Sequence, residues 1–140
     1  MIQRKSIDWE KFLKKSLNTL IKQKPTKFLS MCPADMPKKA GVYLIISTQQ
    51  GKQIPYYIGR TKNLQRRLYR DHLMGHLNTA RLKKRLIKDK ICLNKKEAKS
   101  YLRLRCTARW IEEADYRKRG AIEGYCTAML FPKYGIDEER

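Results

Sequence analysis

The stretch from residue 56 to residue 72, YYIGRTKNLQRRLYRDH, gathers residue types that could act on phosphate groups. It joins an apolar, aromatic run to a run of positive charge and ends on a histidine. Arginine is a planar, permanently charged donor to phosphate oxygens, and histidine exchanges a proton near neutral pH. The stretch is therefore either a strand leading into a solvated basic helix or part of a site that cuts phosphodiester bonds.

The net charge of the whole chain indicates the kind of partner. Lysine and arginine number 33 against 13 aspartate and glutamate, which gives a formal charge of +20. A compact domain this basic repels itself unless a polyanion accompanies it, and nucleic acid is the commonest such partner. Ribosomal and membrane-surface proteins are equally basic, however, so charge predicts a class of partner and no activity.

Length and composition limit the class of protein. The chain has 140 residues and 41% hydrophobic composition, enough for one domain with a modest core. It has no apolar run of about 18 residues that would cross a membrane, and its N-terminus lacks the apolar middle of a secretory signal. The cysteines are too scattered for a zinc site and are expected to be reduced thiols. We therefore expect a cytoplasmic, nucleoid-associated protein, with its oligomeric state left open and a monomer among the options.

The first 38 residues predict a helical extension and a connector. Residues 8–22 form an amphipathic helix with lysines on one face and an apolar stripe on the other. The stripe comprises Trp9, Phe12, Leu13, Leu17, Leu20 and Ile21. Three prolines between residues 23 and 40 predict irregular backbone. Residues 1–38 are thus assigned to the extension and residues 39–140 to the main domain.

The middle of the chain predicts a hairpin followed by helices. GVYLIIST and IPYYIG are β-branched and aromatic runs separated by the turn signal QQGKQ. Asn63 can cap a helix that begins at Leu64, and a further helix is expected over residues 78–90.

The last third of the chain predicts one more strand and one more helix. YLRLRCTARWI alternates, which predicts a strand with one buried face and a basic face bearing Arg103, Arg105 and Arg109. Residues 112–131 predict a helix ended by Pro132. The sum is an α+β fold: a small, mostly antiparallel three-stranded sheet flanked by helices, with the extra N-terminal amphipathic helix.

Four features follow one another along the chain in a specific order. GVY at 41–43 and YIG at 57–59 sit on the two predicted hairpin strands, Arg67 on the next helix and Glu123 on a later one. This ordered set resembles the GIY-YIG nuclease family over roughly residues 39–136. Either tripeptide alone is weak evidence, but the full set on suitable elements is specific. The resemblance implies metal-assisted hydrolysis of DNA phosphodiester bonds.

The resemblance also implies roles for individual residues. Tyr43 and Tyr57 would line the cleft, Arg67 would grip the scissile phosphate, and Glu123, the only acid in YRKRGAIEGYCTAML, would bind the metal. A hard ion on one carboxylate keeps several waters, which suits Mg²⁺ or Mn²⁺ shared with the substrate phosphate. Nearby arginines and a metal would favour the phenolate of Tyr43, which could then accept a proton from water.

The chain departs from the family pattern at two positions. Relatives often have histidine or tyrosine four residues after the arginine, but here Asp71 occupies that position and His72 follows. We expect His72 still to reach the cleft as a catalytic residue. Many relatives also have asparagine twelve residues after the glutamate, where this chain has Gly135.

These observations predict a metal-dependent DNA endonuclease, structure-selective or weakly sequence-specific, that acts on duplex or branched DNA. Its predicted nucleic-acid contacts are Arg60, Lys62, Arg66, Arg70, Arg103, Arg105 and Arg109. One alternative is a degenerate member of the fold that binds DNA or structured RNA without cutting, which Gly135 favours. Another is a structural basic protein, in which Tyr43 and Tyr57 are ordinary core aromatics and Arg67 is a solvated charge.

Overall fold

The computed structural model describes residues 2–3 and 8–136. The elements in chain order are α1 (Trp9–Lys22), β1 (Thr26–Lys27), two 3₁₀ turns (Phe28–Ser30 and Pro33–Asp35), β2 (Gly41–Gln49), β3 (Lys52–Thr61), a π-helix (Arg66–Leu73), α2 (Arg81–Lys88), α3 (Lys95–Arg105), β4 (Cys106–Glu112) and α4 (Tyr116–Leu130). Within these ranges, no helix is long and apolar enough to cross a membrane.

The strands form one antiparallel sheet in the order β1-β4-β2-β3. The predicted hairpin is β2–β3, and its register sets Tyr43 opposite Gly59. The sheet has four strands, whereas three were predicted. The strand that was missed is β1, which pairs only two residues with β4. Two residues are too few to show the alternation by which a strand is recognised in a sequence. The α+β class and the helices that flank the sheet are confirmed.

Central strand β2 is buried on both faces, so side chains from it enter two separate packing layers. Tyr43 and Ile45 pack in the layer that contains the π-helix, α2 and α3. Val42 and Leu44 pack in the layer of α1 and α4. This follows from the two-residue period of a strand, and it explains why GVYLII is a continuous apolar run.

The N-terminal amphipathic helix is confirmed as α1. The Asp8 carboxylate caps it by accepting a hydrogen bond from the Lys11 backbone N–H at 3.1 Å. Leu17 and Leu20 are buried in the α1–α4 layer, whereas Ile21, predicted on the same stripe, is exposed. The extension therefore helps to cover one face of the sheet.

The prediction of a strand beginning at residue 101 is wrong, because residues 95–105 form α3 and β4 begins at Cys106. Asn94 caps α3 by accepting from the Glu97 N–H at 2.9 Å. Ala98 and Leu102 are buried with helical spacing, while Leu104 is 71% exposed. Alternation at these few positions was thus compatible with a helix as well.

The predicted basic strand face is consequently wrong as well. Arg103 and Arg105 are exposed on helix α3 and do not share a strand face with Arg109. Arg109 is only 6% exposed, and its Nε donates to the Gln23 carbonyl at 3.2 Å. In this structure Arg109 joins β4 to the chain after α1, which leaves its guanidinium little access to a phosphate.

Candidate active site

The hydroxyl of Tyr43 is the centre of the predicted site. Tyr43 is 1% exposed on β2, and its Oη lies 2.7 Å from His72 Nε2. The same oxygen accepts a hydrogen bond from Arg67 Nε at 3.1 Å. Gly59 on the neighbouring strand leaves room for this ring, because a Cβ there would lie 2.4 Å from Tyr43 Oη. The last glycine of YIG is therefore required by the tyrosine of GVY.

The π-helix explains how His72 reaches Tyr43 from an unexpected position in the sequence. Arg67 and His72 are five residues apart, and the Met74 N–H donates to the Tyr69 carbonyl, also five residues back, at 3.0 Å. In an α-helix residues four apart share a face, whereas the wider π-turn brings residues five apart into line. Asp71 pairs with Arg67 instead of meeting Tyr43, with its Oδ2 3.5 Å from Arg67 Nη1.

The start of this helical segment is as predicted. The chain becomes helical at Leu64, and the Asn63 side chain accepts from the Arg66 N–H at 3.0 Å. Leu68 is buried beneath the segment. The cap and the apolar positions thus fix where the helix starts. The extra residue of the π-turn is accommodated further along the segment.

Three rings pack together at the site. Tyr57 stacks on Tyr43 with centroids 6.2 Å apart, and His72 lies edge-on to both rings at 5.2 and 5.3 Å. Gly135 adopts φ +95° beside the Tyr57 ring, and a Cβ there would lie 3.3 Å from Tyr57 Cε2. The position where relatives often have asparagine is therefore a close backbone contact with a motif tyrosine.

Burial sets the protonation states of the central pair. It raises the pKa of Tyr43 above its usual 10.0, and the opposing effect of Arg67 is smaller. Burial lowers the pKa of His72 well below 6.5, with Arg67, Lys83 and Arg81 adding to the shift. At neutral pH both groups are therefore uncharged in the free protein. Neutral His72 Nε2 can therefore accept the Tyr43 proton.

Arg67 is held in place before any substrate arrives. In addition to its bond to Tyr43, its Nη1 donates to the Thr79 carbonyl at 2.9 Å and approaches Asp71. The side chain is still 19% exposed. A fixed guanidinium with an accessible edge suits recognition of a phosphate.

Lys83 supports the site and was missed in the sequence. It is fully buried on α2, and its Nζ donates to the carbonyls of Leu73 and Gly75, which follow His72. Burial lowers its pKa to about 8, with Lys95 and Lys99 contributing. Lys83 lies three and four residues before Leu86 and Ile87 and so shares their apolar face, whereas the exposed Lys84 does not; this helical spacing in RLKKRLIK was the signal.

Glu123 lies on α4 and is paired with an arginine from β3. Its Oε1 is 3.7 Å from Arg60 Nε, and Glu123 is the more buried partner. Burial raises the pKa of Glu123, and Arg60 opposes that rise. The charge of Glu123 in turn acts to raise the pKa of Tyr43. Glu123 is thus electrostatically linked to the tyrosine centre.

The donor set around Glu123 fits a hard divalent ion that keeps most of its waters. Among residues 2–3 and 8–136, no three histidine, cysteine, aspartate or glutamate side chains cluster as a metal cage. Mg²⁺ is typically bound through one or two carboxylates together with substrate phosphates. A half-buried single carboxylate meets that description, and Arg60 is the group that an ion would have to displace.

The predicted DNA contacts are dispersed over the molecule. Lys62 follows β3, and Arg66 and Arg70 are exposed on the π-helix that holds Arg67. Arg105 instead lines a cavity with Gln49 at the turn end of the hairpin. Gln49 is six residues from Tyr43 on β2, about 20 Å along a strand. The basic residues near the tyrosine centre are therefore those of β3 and the π-helix.

Comparison with a family sequence model agrees with the motifs. The sequence model of the GIY-YIG catalytic domain matches residues 39–118, which include both tyrosines, Arg67 and His72 but end before Glu123. A comparison with curated protein sequences finds no match.

Two solved structures similar to this chain are of the GIY-YIG N-terminal endonuclease domain of UvrC from Thermotoga maritima. Both are tyrosine-to-phenylalanine point mutants bound to the catalytic divalent cation. One is 23% identical, with 78% of this chain and 91% of that chain covered and a TM-score of 0.44. The other is 22% identical, with 79% and 91% covered and the same TM-score.

Proposed function

Since this chain belongs to the GIY-YIG catalytic-domain family, we propose that it is a metal-dependent endonuclease that hydrolyses DNA phosphodiester bonds. The observation that supports this best is the convergence of Arg67 Nε and His72 Nε2 on the Tyr43 hydroxyl. Two polar groups from the π-helix meet at one buried oxygen of β2, whereas core packing alone would call for apolar contacts.

Arg67 binds and orients the scissile phosphate in this proposal. Its Nε stays on Tyr43 while the outer edge of the guanidinium donates to phosphate oxygens. Because Thr79 and Asp71 already hold the side chain, little reorganisation is needed as charge builds in the transition state. Preorganised donors of this kind typically contribute 100- to 1000-fold in rate.

Tyr43 and His72 handle the proton of the attacking water. Tyr43 Oη accepts a proton from water and donates its own proton to His72 Nε2. Neither the water oxygen nor Tyr43 Oη then carries a full negative charge, and the positive charge ends on the imidazole. An imidazolium beside Arg67 is unfavourable in the free protein, which agrees with the low pKa of His72. The negative charge of bound substrate offsets that repulsion, so the transfer is favoured only when DNA is present.

Glu123 would hold the divalent cation, which supplies positive charge for the phosphate and lowers the pKa of bound water. With Glu123 engaged by a cation, Arg60 would be available for a DNA phosphate. Both the ion pair and the partial exposure of Glu123 support this exchange of partners.

The experiment is cutting of supercoiled plasmid by the purified protein with Mg²⁺ or Mn²⁺, with and without EDTA. Glu123→Gln keeps the size of the side chain but removes its charge, so nicking should be lost while DNA binding is retained or strengthened. Glu112→Gln is the matched control, because Glu112 is an exposed acid paired with Lys39 outside the site. Nicking by Glu123→Gln at the wild-type rate would contradict the proposal.

A binding module that does not cut is the second candidate, since Gly135 replaces the asparagine of many relatives. It would be supported if wild-type protein binds plasmid tightly and leaves it intact with either ion.

A further inference from the structure

A cavity of about 350 Å³ opens beside the Arg60–Glu123 pair, between the end of β3 and the first turns of α4. It is lined by Arg60, Thr61, Lys62, Tyr116 and Arg119. Its volume is within the range of small-molecule sites. Tyr116 is 71% exposed, which is unusual for a large aromatic side chain and leaves its ring face open to a ligand.

The cavity is continuous with the proposed cutting site through one face of α4. Tyr116, Gly120 and Glu123 have the i, i+4, i+7 spacing that aligns side chains along a helix. Arg60 lies across this face, because a Cβ on Gly120 would be 2.3 Å from its Nη1, and its Nε pairs with Glu123. Tyr116 is seven residues from Glu123, or about 10 Å along the helix.

The lining is suited to a nucleotide. Arg119 is nearly buried and forms a fixed wall, with its Nη1 donating to the Glu113 and Ala114 carbonyls. Arg60 and Lys62 are exposed cations, and no acid is among the five lining residues. Exposed aromatics next to a positive groove are how proteins hold single-stranded nucleic acid: bases stack on the rings and cations follow the backbone.

We propose that this cavity is a subsite for an unpaired nucleotide flanking the scissile phosphate, with its base stacked on Tyr116 and its phosphate on Arg60 or Lys62. The proposal rests on the proposed function, since it takes the scissile phosphate to lie near Glu123. A base inside a duplex is covered on both faces by its neighbours, so Tyr116 can stack only on an unpaired one. The preferred substrate is therefore DNA with a single-stranded tail or branch next to the cut.

The test is fluorescence anisotropy in EDTA with labelled DNA hairpins. One hairpin is fully paired. The tailed hairpin carries a five-nucleotide single-stranded tail and is made in two versions, with the tail at the 5′ end or at the 3′ end. Wild-type protein should bind a tailed hairpin more tightly. Tyr116→Ala should weaken that binding about 5- to 150-fold, the effect of losing one stacked base, and Tyr116→Trp should restore it. Phe131→Ala is the matched control, because Phe131 is 76% exposed at the far end of α4.

Three results would overturn the subsite: equal wild-type affinity for paired and tailed hairpins, no effect of Tyr116→Ala, or an equal loss on both hairpins. The last would mean that Tyr116 contacts duplex DNA instead. Competition by an acidic peptide as strong as that by a tailed hairpin would also overturn it in favour of a protein partner. Because binding is measured in EDTA, these outcomes are independent of plasmid nicking, which tests the proposed function separately.

Discussion

At the scale of single residues, the Tyr43 hydroxyl accepts one hydrogen bond from Arg67 and forms a second one with His72. Arg67 can only donate to it, so the bond with His72 determines where its proton lies. If Tyr43 donates to Nε2, the remaining imidazole proton is on Nδ1, which is buried with no partner among the described residues. A buried donor without a partner is costly, and it fits a site whose proton arrangement serves chemistry.

Removing this hydroxyl tests its role directly. Tyr43→Phe should lower the nicking rate at least 100-fold, because the water's proton loses its acceptor. It should also reduce the free energy of unfolding by about 1 to 3 kcal/mol, since Arg67 Nε and His72 Nε2 lose the hydroxyl as their partner. Plasmid nicking and urea denaturation measure the two effects. Tyr125→Phe, on a half-buried tyrosine of α4, is the control, and a wild-type nicking rate in Tyr43→Phe would refute the proton path.

The Arg60–Glu123 pair predicts a pH effect with a definite sign. Metal binding requires ionised Glu123, so activity should fall as pH drops through the pKa of Glu123, which burial has raised above 4.5. Arg60 opposes that rise, and Arg60→Met should therefore move this acid limb to higher pH. The measurement is nicking rate against pH at Mg²⁺ well below saturation, where most Glu123 carboxylates are still paired with Arg60. Arg66→Met is the control: it removes an exposed arginine on the π-helix and should leave the acid limb of the pH profile in place. If Arg60→Met also leaves that limb in place, the Arg60–Glu123 pair does not set the pKa of Glu123.

At the scale of elements, the π-helix is the feature that makes the site from this sequence. Family spacing predicted a site residue at position 71, and an α-helix would have turned His72 away from Arg67. The π-turn shifts the helical register by one residue and so brings His72 to the Tyr43 hydroxyl. Lys83 stabilises the end of the π-helix by donating to the carbonyls of Leu73 and Gly75.

Moving the histidine by one residue tests the helical register. His72→Gln should lower nicking at least 100-fold, since an amide is a poor proton acceptor. In the double variant Asp71→His with His72→Ala, the histidine returns to the family spacing, but position 71 lies beside Arg67 Nη1 and not on the Tyr43 hydroxyl, so activity should not recover. Circular dichroism and thermal melting verify folding of both variants. Recovery in the double variant would mean that the segment is α-helical in solution.

The elements also show how far this sequence predicts the structure. The hairpin, the Asn63 cap and α1 were predicted because period, turn residues and capping all agreed. The strand at 101–105 was predicted wrongly because five residues of YLRLR satisfy either period, and the decisive capping residue, Asn94, lies outside that window. The family resemblance led us to expect Tyr43, Arg67 and His72 in one cleft, but not their meeting at the Tyr43 hydroxyl, because the π-turn that achieves it depends on tertiary packing and has no sequence signature.

At the scale of the whole molecule, the formal charge of +20 acts together with the site. Arg66 and Arg70 are exposed on the π-helix beside Arg67, and Lys62 lines the cavity that also contains Tyr116. A strand of DNA spanning the proposed subsite and the tyrosine centre would meet these cations in turn. Each phosphate that a lysine or arginine neutralises releases condensed counterions, so binding must depend on salt.

The charge therefore predicts how DNA affinity responds to salt. If about six phosphates are contacted, the affinity for a paired duplex should fall roughly a thousandfold between 50 and 200 mM salt. Arg66→Ala and Lys62→Ala should each reduce the slope of log affinity against log salt by about one, with little dependence on sequence. Lys15→Ala, an exposed position on α1 outside the predicted contacts, should leave the slope unchanged. Anisotropy titrations at four salt concentrations measure it, and a flat response would mean that the positive surface does not bind the DNA backbone.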